Sequence, residues 1–89
     1  MLKINESYMI MNVMDTSVVI GKDANAYMPY TLMTLNETGV FLWKQLEAGT
    51  DEETLVKSLE ETYSLTHEKA QEDVTRFLQQ LREKELLKK

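Results

Sequence analysis

The pattern of apolar residues changes period inside "TLMTLNETGVFLWKQL", residues 31–46, and no loop separates the two regimes. Thr31 to Leu35 alternate as a strand, with Thr31, Met33 and Leu35 on one face and Leu32 and Thr34 on the other. From Asn36 the spacing becomes helical, and Val40 and Trp43, with Leu42 and Leu46, form the stripe to be buried. The Asn36 side chain is placed to accept a hydrogen bond from an otherwise unpaired N–H of the first turn. Leu35 before the cap and Val40 after it have the spacing of a hydrophobic staple, which fixes the angle between strand and helix. Gly39 costs about 1 kcal/mol of helix propensity against Ala, unless a close backbone approach requires it.

Upstream, "YMIMNVM" (8–14) and "SVVI" (17–20) are apolar runs broken at Asp15-Thr16, which predicts a hairpin. The stretch "GKDANAYMPY" (21–30) holds Gly, Asp, Asn and Pro and reads as a loop leading into the third strand. Downstream, Ala48-Gly49 ends the first helix and Thr50 with Glu53 makes a T-x-x-E capping box for a second. Leu55, Val56, Leu59 and Tyr63 repeat at helical spacing. A third helix, capped by Thr66, carries Ala70, Val74, Phe77, Leu78 and Leu81 on one stripe, and Leu86 and Leu87 are expected to fold back onto the core. The expected fold is α+β and winged-helix-like: a three-stranded antiparallel sheet followed by three helices, one domain over residues 1–89.

A chain of 89 residues buries roughly 60–65% of its unfolded surface, enough for one modest core and no deep enclosed cavity. No apolar run approaches the ~20 residues of a membrane span, and a cytoplasmic location is the default expectation. Residues 36–65 hold two Lys against seven acids, while residues 66–89 hold six Lys/Arg against five. Phosphate backbones favour concentrated positive charge, so a chain of net charge −5 with an acidic centre argues against nucleic acid as the main ligand.

Catalytic and metal chemistry find little support. His67 is the lone histidine and there is no cysteine, whereas zinc sites recruit three or four N, S or O ligands. Acids at 51, 52, 53, 60 and 61 are explained by helix-dipole complementarity and surface solvation. No phosphate loop, dinucleotide fingerprint or nucleophile elbow occurs, so the expectation is a non-enzyme with no cofactor and no metal. Five of the six methionines, Met9, Met11, Met14, Met28 and Met33, lie in the sheet half. Core filling is their ordinary role, although Met28 or Met33 could line a groove.

Residues 35–87 resemble the PqqD-like family. The pieces that carry the resemblance are Leu35-Asn36-Glu37-Thr38-Gly39, the pair Leu42-Trp43, a looser T-x-E-E-L segment from Thr50 to Leu55, Glu61 to Tyr63, and "DVTRFLQQL" from Asp73 to Leu81. Thr66-His67 stands where the family usually has an acidic helix cap, and Glu85 where Gly often precedes the final apolar pair. The resemblance implies a RiPP recognition element, a small module that binds the leader segment of a ribosomally made precursor peptide. It also implies a partner enzyme such as a radical-SAM protein; from the charge pattern and the lack of a spanning run, no nucleic-acid and no membrane partner is expected, and the chain is expected to be a monomer or weak dimer.

In that family the leader adds as an antiparallel strand beside the third strand, in a groove walled by the third helix. Carried onto this sequence, the contacts are expected along Tyr30, Thr31, Leu32, Met33 and Thr34. On the third helix they are expected at Asp73, Arg76, Phe77, Gln80 and Lys84, with Phe77 also a candidate for the core. Strand addition suits the task, because edge N–H and C=O groups give affinity with little sequence demand and side-chain pockets give specificity. The rival readings are a nucleic-acid-binding winged helix, which shares the fold class, and a protein-docking module. A DNA-recognition helix would want a basic start, but this one opens Thr66-His67-Glu68-Lys69 and soon adds Glu72 and Asp73.

Overall fold

A computed structural model describes residues 1–22 and 33–88. Three strands, β1 (Tyr8–Val13), β2 (Thr16–Gly21) and β3 (Met33–Leu35), precede three helices, α1 (Glu37–Ala48), α2 (Glu52–Tyr63) and α3 (His67–Glu83). The sheet is antiparallel throughout, in the order β1-β2-β3, which agrees with the expected α+β class. Of the expected loop over residues 21–30, Gly21 instead ends β2, paired with Tyr8, and Lys22 follows it; residues 23–30, Met28 among them, and the expected strand positions Thr31 and Leu32 lie outside the described residues.

Alternation assigns one sheet face to the helices. Ile10 pairs with Val19, and Val19 with Met33, so these three stand on the same face as Leu35. Val19 and Leu35 are buried against Leu42, Trp43, Leu46, Leu55, Leu59, Val74, Phe77, Leu78 and Leu81. Trp43 is fully enclosed, and among the described residues its Nε1 finds no acceptor. Val40 is only half-buried at the core margin, and the stripe of α1 is carried by Leu42, Trp43 and Leu46. Phe41 and Tyr63 meet edge to face at 5.5 Å, joining α1 to α2 outside the main stripe.

Two local expectations are corrected. The hairpin turns at Met14-Asp15 rather than Asp15-Thr16, because Val13 pairs with Thr16 and leaves only two residues to connect the strands. Thr16, β-branched, stays in the strand, while Met14 takes the positive φ of 57°. The cap of α2 is Asp51, not Thr50: Asp51 Oδ1 accepts the Thr54 N–H at 2.7 Å. Thr50 is engaged elsewhere, its N–H donating to the Leu2 carbonyl at 2.9 Å in a bridge between the two residues.

That bridge belongs to a set of long-range ties that periodicity does not reveal. The Ile4 N–H donates to Leu46 O at 3.0 Å, Asn5 N–H to Leu86 O at 2.8 Å, and Lys88 N–H to Lys3 O at 2.7 Å. The segment before β1 thus stitches the α1–α2 junction to the residues after α3, and Ile4, Leu86 and Leu87 are buried there. Glu85 adopts φ 57° to turn the chain from α3 into that segment. Its left-handed conformation gives a physical reason for the Gly that the family resemblance places at this position.

Candidate functional site: a groove between the sheet edge and the third helix

β3 is an edge strand. It pairs with β2 through Ser17–Leu35, Val18–Thr34 and Val19–Met33, and among the described residues no strand covers its other side. In an antiparallel pair successive residues direct their N–H and C=O groups alternately toward the partner and away from it, so part of the β3 backbone faces outward. An exposed edge invites pairing with another chain.

Beside this edge lies an open groove of about 590 Å³, bounded by β3, the start of α1 and one face of α3. Its lining combines Met33, Thr34 and Leu35 from the strand with Asn36, Thr38, Gly39 and Leu42 from the junction and first helix. α3 contributes Lys69, Asp73, Arg76, Phe77 and Gln80, positions at three- and four-residue spacing that share a helix face. The apolar part of the lining includes Leu35, Leu42 and Phe77, which are almost wholly buried and belong also to the core.

The junction that opens the groove is held by short contacts. Asn36 Oδ1 accepts the Gly39 N–H at 2.8 Å and the Thr38 hydroxyl at 3.0 Å. Along the α3 wall, Lys69 Nζ lies 3.0 Å from Asp73 Oδ1, and Arg76 lies 3.8 Å from Asp73 and 2.7 Å from Glu72. Asp73 is the least exposed of these charges and sits between the two cations.

Of the residues singled out in the sequence, the groove brings together Met33, Thr34, Asp73, Arg76, Phe77 and Gln80. Tyr30, Thr31 and Leu32 lie outside the described residues. Lys84, the C-cap of α3 just after its last residue Glu83, is not part of the lining. Lys69 was missed, although it stands four residues before Asp73 and seven before Arg76. Asn36, Thr38, Gly39 and Leu42 carry no sequence signal for binding, since capping and core packing already account for them.

His67 lies elsewhere, exposed, its Nδ1 3.2 Å from Glu60 Oε2. Among the described residues no group of three or more His, Asp or Glu side chains is disposed to hold a metal ion. No described helix is long and apolar enough to cross a membrane.

No significant match occurs among curated protein sequences. Two solved structures are similar over nearly the whole chain. One is TbiB1 in complex with the TbiA(beta) leader peptide, 26% identical, with a TM-score of 0.73 and coverage of 97% of this chain and 94% of that one. The other is lasso peptide synthetase B1 complexed with the leader peptide, 14% identical, with a TM-score of 0.73 and coverage of 99% and 98%, a likeness of fold. The family model for coenzyme PQQ synthesis protein D (PqqD) matches residues 23–87, and the chain belongs to that family.

Proposed function

We propose that this protein binds the leader segment of a ribosomally synthesised precursor peptide and presents it to a modifying enzyme. The observation that carries the reading is the open edge of β3 beside a groove walled by α3. The similarity to TbiB1, whose structure holds a leader peptide, supports it independently. The leader adds as a strand next to Met33–Leu35, and every second side chain enters the groove toward Leu42 and Phe77. Met33, Thr34, Asp73, Arg76, Phe77 and Gln80 form the contact set, and Tyr30, Thr31 and Leu32, which precede Met33 in sequence, are further proposed contacts. The junction at Asn36 and Gly39 keeps the edge ordered before the peptide arrives, which lowers the ordering cost of binding.

In this role the protein is a single non-catalytic domain acting in the cytoplasm, and the chemistry belongs to the partner enzyme, of which a radical-SAM protein is one example. The test is an NMR titration of the isotope-labelled protein with leader segments of short precursor-like peptides encoded beside its gene. Saturable shifts on residues 33–35 and 69–80, with Kd of about 1 μM or tighter (about −8 kcal/mol), are expected. Shifts confined to the opposite side of the molecule would discard the groove, and silence from every such peptide would overturn leader binding.

A further inference from the structure

The charges on the groove wall suggest what kind of leader it accepts. Of the described residues that line the groove, three are charged: Lys69, Asp73 and Arg76. Two cations therefore share one lining carboxylate, on a chain whose net charge is −5. Asp73 has both cations beside it and is the poorest of the three for a new partner. Lys69 has one close contact, at 3.0 Å, and its ammonium carries three donors.

Arg76 is bound closely only through Nη2, to Glu72 at 2.7 Å, while its Nη1 lies 3.8 Å from Asp73, beyond hydrogen-bond reach. The Arg76–Glu72 pair is well exposed on both sides, at 58% and 60%, and exposed pairs at this spacing are weak. Arg76 can thus exchange or share Glu72 for a carboxylate delivered from the groove. Such a pair would gain strength as the peptide excludes water from it.

Spacing adds a second constraint. The centre of the Lys69–Asp73–Arg76 cluster lies about four residues before Phe77, or about 6 Å along the helix. Alternate side chains of a strand stand about 6.6 Å apart. We infer that the groove selects a leader with an acidic side chain two positions from a large apolar one, the acid meeting Lys69 and Arg76 and the apolar group covering Phe77 and Leu42. The inference rests on the leader-binding reading and adds the chemistry of its ligand.

A selection from a random library of about 14-residue peptides, displayed on their own messenger RNA, tests it against the immobilised full chain. Groove binding of the enriched peptides is then verified by NMR shifts at residues 33–35. An Asp or Glu two positions from an apolar residue is the expected consensus. Replacing that acid by its amide should weaken binding about three- to tenfold in the wild-type chain and far less in a Lys69→Gln/Arg76→Gln double variant. Circular dichroism establishes that the double variant is folded. Enriched groove binders with no acidic preference, or an amide effect equal in both chains, would overturn the charge inference and leave leader binding standing. Failure to enrich any groove binder would overturn both.

Discussion

Asn36 and Gly39 hold each other in place at the mouth of the groove. The Gly39 N–H donates to Asn36 Oδ1 at 2.8 Å, and a Cβ on Gly39 would lie 3.2 Å from that same oxygen and 3.3 Å from Leu35 Cδ2. A Cβ at Gly39 would thus sit tighter than side chains ordinarily pack, which opposes the helix propensity that Ala would gain. The side chain it lacks would press on both the cap and the strand.

Gly39→Ala should destabilise the protein by about 1 kcal/mol, the crowding exceeding the gain in helix propensity. Leu35 is buried and has little room to yield. Denaturant midpoints measure the loss, and an Ala variant more stable than wild type would show that the junction relaxes freely.

Glu85→Gly should stabilise the chain by about 1 kcal/mol, because Glu85 occupies φ 57° and an L side chain is strained there. The gain should appear as a higher Tm with unchanged affinity for peptide, since Glu85 lies outside the groove lining. A destabilised variant would contradict the left-handed turn between α3 and Leu86.

Asp51 links stability to pH. The Thr54 backbone N–H, and after it a side-chain hydrogen bond with Thr54, hold its carboxyl below the ordinary 3.8. The folded state then binds fewer protons than the unfolded state in that range, so the contribution is complete above 3.8 and is lost as pH falls through the depressed value. Wild type should exceed Asp51→Asn in stability above about pH 5, and the two should converge on acidification toward about pH 2. Parallel stability curves for the two proteins would refute the linkage.

Hydrogen exchange should locate the added strand. At least one backbone amide within Met33–Leu35 should exchange rapidly in the free protein and become protected about tenfold or more with peptide bound. Unchanged exchange at all three amides under saturating peptide would place the ligand away from the β3 edge.

Much of this architecture is local and therefore readable from residue order alone. The cap at Asn36, the cap at Thr66 and the stripe Ala70–Val74–Phe77–Leu78–Leu81 follow from hydrogen-bonding chemistry and the 3.6-residue period. The same period brought Asp73, Arg76, Phe77 and Gln80 to one face of α3, because helix geometry alone makes them neighbours. Lys84, the C-cap that follows Glu83, lies outside the groove lining.

Tertiary structure decided what depends on distant partners. Thr50 yields the α2 cap to Asp51 because its backbone is engaged by Leu2, forty-eight positions away in sequence and close only after folding. The ties from Ile4 to Leu46 and from Asn5 to Leu86 are backbone hydrogen bonds, which any residue but proline can donate, so side-chain patterns carry no trace of them. The groove has the same origin. Local sequence placed charges on α3 and apolar residues on β3, but only the packing of α1 and α3 against the sheet set those surfaces facing one another beside an open edge.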